Sequence, residues 1–596
     1  MKTQDMMDVV RVPSSDADTP SIAPVRPPRE QPRAAMVGWY HPVQLVRTAL
    51  SIATSSIIGR NVDQRELEAL HERTLDYFDY SLDDAGQPRR DLWLDFVADT
   101  GDGFDSTYAV ASAVARDSLD VADPTGATHA TQRGRILVFG GDLVYPVASR
   151  EQYEQRTVMP YEHALPHSSA PHPDVFAIPG NHDWYDSLIS FTRRFCSERW
   201  FAGWRTRQHV SYFALQLPHD WWLIGTDVQL DSDIDADQVR YFRAIAKKLT
   251  PRSRIILCNA EPHWIYEKIH DQDRRYLGRN LNFLEEKVFQ RRIAVYLSGD
   301  LHHYRRHSDG QHHHKIVAGG GGAFLHPTHD VDVASLPAAA LPGCPAPAPY
   351  VLRESYPDVA TSRALTRRNL LFPLLNWRFG LVTGLLYLLT CRAVPIDVTG
   401  LGIGDLATVA NRVVCEVLRG PTALLWVALV IVGVVLYTDP NSLKFRILGG
   451  AAHALTHLLA VFFLGWGTAW LVAGWKVPLV IDLLAFSALV FAAGWIVGSL
   501  VLGIYLFVSL NGFGRHGNEA FSALAVPDFK NFLRLHIDGQ GTLRIYPIGI
   551  DRVPRRWKSA ATGPRLVSGD PAATPPRLIE PPIAIPGPSV RPMAVV

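Results

Sequence analysis

Cysteine is scarce and unpatterned. The chain has five in 596 residues, Cys196, Cys258, Cys344, Cys391 and Cys415, with wide spacing and no CxxC. That excludes a disulfide framework and a zinc knuckle, and it fits a reducing compartment. Net charge is equally lacking: 59 Lys and Arg stand against 58 Asp and Glu, leaving +1. No basic footprint for nucleic acid exists. The first 36 residues hold charge, Ser and Pro but no apolar run, so no cleavable signal is expected and the N-terminal part should stay cytoplasmic.

What is present divides into two unlike regions. Charged residues are only 20% of the chain and mean hydropathy is +0.01, unusual for a wholly soluble enzyme. The average conceals a stretch at 60–330, rich in charge and histidine, and another at 370–510 that is largely apolar. The length also exceeds what one hydrophobic core serves.

The pattern predicts a disordered N-terminus at 1–36, a helical lead-in at 37–89 and an α/β domain at 90–330. A Pro/Ala linker at 331–362, membrane helices at 363–510, a β-hairpin segment at 511–560 and a disordered Pro-rich tail at 561–596 complete the chain. Within the lead-in, 41–59 reads as an amphipathic or packed helix and Val62–Tyr80 as a second one. Strands are expected at Leu92–Ala98, Arg135–Phe139, Val175–Ile178, Ser211–Leu217, Trp221–Gly225, Arg254–Cys258, Ala294–Ser298 and Lys315–Ala318. These runs are short and β-branched, and several end abruptly in Gly, Asp, Asn or His, where ligands of α/β sheets sit. Apolar stretches near 370–390, 421–438, 447–473 and 478–510 each approach the roughly 17–25 residues that cross a bilayer. Arg363, Arg367, Arg368, Lys444 and Arg446 fall on one side of the four spans, and Arg392, Arg412, Arg419 and Lys476 on the other. The mild bias favours both chain ends in the cytoplasm, with the protein in the cell membrane.

Chemistry concentrates at strand ends. Asp99-Thr100-Gly101-Asp102 follows LDFVA, and Gly140-Gly141-Asp142-Leu143-Val144-Tyr145 follows RILVF. Gly180-Asn181-His182-Asp183 follows VFAIP, and Gly299-Asp300-Leu301-His302-His303 follows AVYLS. Carboxylates, an amide and imidazoles form a ligand set for Fe, Mn or Zn. Several such clusters converging imply two ions close together, an arrangement suited to phosphoester hydrolysis.

In their order these motifs resemble the calcineurin-like metallophosphoesterase superfamily, over roughly residues 90–330. Gly101 and Tyr145 resemble the purple acid phosphatase variant of it. DTGDGFDSTY, SGDLHHY and GGGGAFLHPTH, with the apolar C-terminal region, look like a membrane-attached group. The resemblance implies a four-layer β-sandwich flanked by helices, followed by a transmembrane bundle of about four spans. It implies one ion on Asp99, Asp142, Tyr145 and His302, with iron favoured by the tyrosine. A second ion would take Asp142, Asn181 and groups from the other clusters. It further implies His182 as general acid oriented by Asp183, and a metal-bridging hydroxide attacking a phosphomonoester or diester in line. Two positions depart from the pattern. Asp300 stands where a histidine is usual, and the isolated histidine after Arg254–Cys258 is replaced by Asn259-Ala260-Glu261-Pro262-His263, where either Glu261 or His263 can substitute. The implied protein is a membrane-anchored phosphoester hydrolase with a phosphoester substrate, lipid-linked in keeping with the anchor. The rival reading is a non-catalytic membrane sensor or scaffold with a degenerate site.

Other clusters have bland readings. Asp231, Asp233, Asp235 and Asp237 lack the glycine and glutamate of an EF-hand, so a solvated loop with Asp235 capping a helix is expected. His312, His313 and His314 read as an exposed turn. Gly319–Gly322 suits either phosphate or close packing. His453 and His457 share one helical face, expected to bond between helices, and Gly494 and Gly498 form a small-xxx-small pair.

Overall fold

A computed structural model describes residues 9–13, 32–54, 75–165, 172–228, 233–269, 279–290, 292–329, 333–337, 348–402, 404–438, 442–475, 477–560 and 565–587. Two compact units divide the chain. One comprises Met1–Val37, Thr48–Val359 and Val526–Val596, the other Gly38–Arg47 and Ala360–Ala525.

The first unit is built on two mixed sheets. In the larger, Trp221–Gly225, Arg254–Cys258, Ile293–Ser298 and His314–Ala318 run parallel as neighbours. In the other, Leu92–Val97, Ile136–Gly140 and Asp174–Ile178 do the same. Successive strand residues point to opposite faces. Leu94, Phe96, Ile136, Val138, Phe176 and Ile178 therefore meet Ile256, Cys258, Val295, Leu297 and Ile316 in one core between the sheets. The alternate residues Val97, Leu137, Phe139 and Val175 pack on helix Phe104–Val114 and its neighbours. Ile255 and Leu257 pack on helix Ala236–Ala246. Helix, sheet, sheet and helix form four layers.

The hairpin expected near residue 540 exists as Lys530–Ile537 and Leu543–Ile550, turning at Asp538–Gly541. Its first strand pairs antiparallel with Leu92–Val97, and Arg534 reaches Asp95 at 2.7 Å with both side chains fully buried. Several expectations fail. The helix drawn over Val62–Tyr80 is a strand at Leu75–Asp79, because Tyr77 and Phe78 bury on opposite faces of the sheet; residues 62–74 lie outside the described residues. The segment read as a disordered tail carries strands Leu566–Ser568, Arg577–Leu578 and Ile583–Ile585, the last two paired to Leu543–Ile550. Leu578 and Ile585 are fully buried, which outweighs the surrounding prolines. The strand at Val9–Pro13 likewise falls inside the segment expected to be disordered.

The second unit is helical. Leu443–Ala473 and Leu479–Phe513 are long and apolar enough to cross a membrane, and the number reaches four if each of two bent helix pairs is one span. Those pairs bend by 54° and 97°, so of the roughly four spans expected from hydropathy two are matched by long unbroken helices and two fall on bent pairs. Gly494 and Gly498 serve packing: a Cβ would come within 2.6 Å of Tyr387 at the first and 2.7 Å of Thr383 at the second.

Candidate metal centre

Four strand-end loops bring the polar residues together. Asp99, Asp142 and Asp300 each follow a strand in the left-handed region, with φ of 57°, 47° and 66°. Non-glycine residues seldom occupy it, and such strain gathers at functional sites. Glycine makes room for their carboxylates. A Cβ at Gly180 would stand 2.2 Å from Asp142 Oδ1, and one at Gly319 would stand 2.3 Å from Asp99 Oδ2.

At the centre lies the phenol of Tyr145. Its oxygen is 3.2 Å from Asp99 Oδ1, 3.1 Å from Asp142 Oδ2 and 2.9 Å from His302 Nε2. His302 Nδ1 faces the Phe324 carbonyl at 2.7 Å. A carbonyl only accepts, so the proton sits on Nδ1 and Nε2 carries its lone pair toward the phenol. One hydroxyl proton thus meets three acceptors and can serve one of them. The surplus of converging lone pairs fits a cation. Among the described residues no group of three or more His, Cys, Asp or Glu is placed to hold a metal ion; the cluster reaches four donors only with the phenol.

The electrostatics agree with that surplus. Burial, then the charges of Asp142 and Asp300, holds the Asp99 carboxyl well above its ordinary range. Burial and Asp300 push Asp142 up to about 7. Burial also raises Asp300 and drives His302 well below the usual imidazole range. Three desolvated carboxylates repel one another here, and a bound cation would relieve them.

His182 opens toward the same centre. Its backbone N–H donates to Asp142 Oδ1 at 2.9 Å, and its Nδ1 faces the Pro146 carbonyl at 2.7 Å. Burial lowers it to about 4. Asp183 does not orient this ring. Its carboxylate accepts from Gly180 N at 2.9 Å, Leu143 N at 3.2 Å and the Tyr153 hydroxyl, tying two site loops together. The Pro146 carbonyl takes the orienting part instead.

The remaining expected ligands do not all join this centre. Asn181 starts the short helix Asn181–Trp184, its Nδ2 3.4 Å from the Tyr185 hydroxyl. Asp300 donates its backbone N–H to Asp99 Oδ2 at 2.8 Å and accepts from the Tyr266 hydroxyl. Glu261 sits half-buried in the turn after Ala260. His263 is engaged elsewhere: Nε2 lies 2.9 Å from Glu285 and Nδ1 3.1 Å from the Asn259 amide. With both ring nitrogens satisfied, it is not a member of the cluster.

His326, inside the GGGGAFLHPTH string and a candidate pocket residue from the sequence, stacks on His302 at 3.8 Å. Other supporting residues escaped the motif reading. Asp102 accepts from Val37 N at 2.8 Å and Phe324 N at 3.0 Å. Lys530, wholly buried, donates to the Ala323 carbonyl. Only their position after folding marks them, although Asp102 was visible inside the first motif. Gly319–Gly322 packs beneath the site, with Gly321 N bonded to Ala98 O at 2.9 Å. Asp235 caps helix Ala236–Ala246 through Gln238 N, as its spacing suggested.

No protein-family model matches the chain, and no curated protein does either. The chain has partial likeness to solved structures. One is GAP50, described as the anchor in the inner membrane complex of Plasmodium, at 15% identity and TM-score 0.29, over 40% of this chain and 74% of that one. Another is PhoD, at 10% identity and TM-score 0.26, over 41% and 60%. A third is purple acid phosphatase PPD1 from yellow lupin seeds, at 14% identity and TM-score 0.29, over 45% and 49%. These scores are low, and the functional reading rests on the chain's own side chains.

Proposed function

We propose that the protein is a membrane-anchored, metal-dependent phosphoester hydrolase of calcineurin-like, purple-acid-phosphatase-like type. The carrying observation is the convergence of Asp99, Asp142 and His302 on the Tyr145 phenol. Asp99, Asp142, Tyr145 and His302 would hold one ion, with iron favoured by the phenolate. Asp142, Asn181 and Asp300 would supply a second, with Glu261 in reserve. Bound ions of this kind supply positive charge to phosphoryl oxygens and acidify water.

The chain's own groups would do the rest. His182 would hold a proton for the leaving oxygen, its ring fixed by Pro146. In the ligand-free site burial keeps this imidazole neutral at pH 7, so the negative phosphoryl group itself must raise it. Asp183 would keep the Gly180 and Leu143 loops in register and act as a positioning residue. The substrate would be a phosphomonoester or diester, lipid-linked in keeping with the apolar helices, and the hydrolase unit would face the cytoplasm.

The engagement of His263 with Glu285 favours a second reading, a non-catalytic membrane sensor with a degenerate site. Metal analysis of the purified chain reconstituted with Fe, Mn or Zn separates the two, together with turnover of p-nitrophenyl phosphate and its bis-ester. At least one ion per chain with turnover supports the hydrolase. Less than one ion without turnover supports the sensor.

A further inference from the structure

The helical unit contains a cavity of about 630 Å³. Its walls are mostly Leu and Val, among them Leu429, Val434, Leu458 and Leu502, and among the described residues no Asp, Glu, Lys or Arg lines it. Into this apolar lining come Tyr387, His457 and His453. They form a chain of hydrogen bonds: the Tyr387 hydroxyl lies 2.8 Å from His457 Nδ1, and His457 Nε2 lies 3.1 Å from His453 Nε2. His453 is 5% exposed, its ring stacked on Tyr505 at 3.9 Å. The chain ends at His453 Nδ1, a buried nitrogen with no partner among the described residues.

A neutral imidazole carries one proton, so the chain has two orientations. If Tyr387 donates, His457 passes its Nε2 proton toward His453, whose own proton then sits on Nδ1 and requires an acceptor. If Tyr387 accepts, every step reverses and Nδ1 presents a lone pair that requires a donor. A hydroxyl group answers either requirement, whereas a carbonyl answers only the first. Phosphate and carboxylate would enter a lining without counter-charge, which is costly. The volume falls in the range of small-molecule sites and suits a hydrocarbon chain rather than a helix roughly 10 Å across. The helix Pro421–Tyr437, which forms one wall, exposes Leu424, Leu425, Val432 and Leu436. A chain ligand reaching such a unit would come from the bilayer.

We propose that this cavity binds one uncharged, hydroxyl-bearing membrane lipid, its hydroxyl bonded to His453 Nδ1 and its chain between the Leu and Val walls. The site does not depend on the hydrolase reading, and binding can be measured with the metal centre empty.

The test uses the full chain in phosphatidylcholine nanodiscs and a long-chain alcohol carrying a mid-chain diazirine, with labelled residues mapped by mass spectrometry. Label is expected on the cavity residues of Pro421–Tyr437 and Leu443–Ala473. Unlabelled long-chain alcohol should compete, and the matching alkane and alkyl phosphate should not. His453→Leu should cut cavity labelling about fivefold, the effect of one lost hydrogen bond. Gly433→Leu is a second variant for the case in which His453→Leu fails to fold. An added Cβ there meets nothing within 4 Å, and the larger side chain should fill the cavity and abolish its labelling. The proposal is overturned if the alkane competes as well as the alcohol, if label spreads evenly to Leu479–Leu484, or if a folded variant labels like the wild type.

Discussion

Phe324 fixes His302: its carbonyl oxygen lies 2.7 Å from the ring's Nδ1, which leaves Nε2 as the nitrogen directed at Tyr145, Asp99 and Asp142. The loop that does this is itself held from two sides, by Asp102 at Phe324 N and by buried Lys530 at the Ala323 carbonyl. A residue that follows the apolar helices in sequence therefore supports a site residue that precedes them.

Asp142→Asn tests the centre directly. The change removes one of three mutually repelling buried carboxylates, so the melting temperature should stay level or rise. Turnover of p-nitrophenyl phosphate with added Mn or Fe should fall about a hundredfold or more. Equal turnover in a folded variant would sink the hydrolase reading.

Tyr145→Phe removes the hydroxyl shared by Asp99, Asp142 and His302. Metal affinity, measured by competition with a chelator, should drop roughly tenfold or more. With iron bound, the wild type should show a visible tyrosinate-to-iron band that the variant lacks.

Arg534→Leu breaks a fully buried ion pair with Asp95. It leaves a desolvated carboxylate and removes the Arg534 bond to Val114 O at 3.0 Å. A loss of about 3–5 kcal/mol is expected in denaturant unfolding. Asp95→Asn combined with Arg534→Leu should recover part of it.

Asp551 accepts two bonds from Arg577, at 2.8 and 2.9 Å, and one from the Tyr356 hydroxyl at 2.8 Å. Burial opposes ionisation, but these donors outweigh it and hold the carboxyl below its usual range. A depressed folded pKa gives stability that is full above the unfolded value of about 3.9 and fades as pH falls through the lower folded one. Asp551→Asn should cost about 1 kcal/mol at pH 7, a figure kept small because both partners are partly exposed. The gap from wild type should close at the acid end of a pH series.

Gly494→Val places a side chain where Tyr387 already sits. Overpacking should destabilise the helical unit by roughly 1–3 kcal/mol. Thermal unfolding in detergent checks it, with Gly433→Val as the control that meets open space.

Much of the first unit was legible in the sequence. Trp221–Gly225 and Arg254–Cys258 stand as drawn, and the other expected strands shift by only a residue or two, because short β-branched runs ending in glycine leave the backbone few alternatives. Other features were not legible. Leu75–Asp79 carries the same residues as a helix end, and only two sheet neighbours make it a strand. Ile583–Ile585 lies among prolines, and its pairing partner is some 40 positions away in sequence.

The site divides along the same line. Sequence alone determined that Asp99, Asp142, His182, Asp300 and His302 stand at strand ends, since strand periodicity and glycine placement are local properties. Tertiary structure alone decided which of them meet. It turned His263 toward Glu285, gave Asp183 to the loop backbones rather than to His182, and set Phe324 behind His302. Those outcomes depend on contacts between segments far apart in the chain, and no local pattern encodes them.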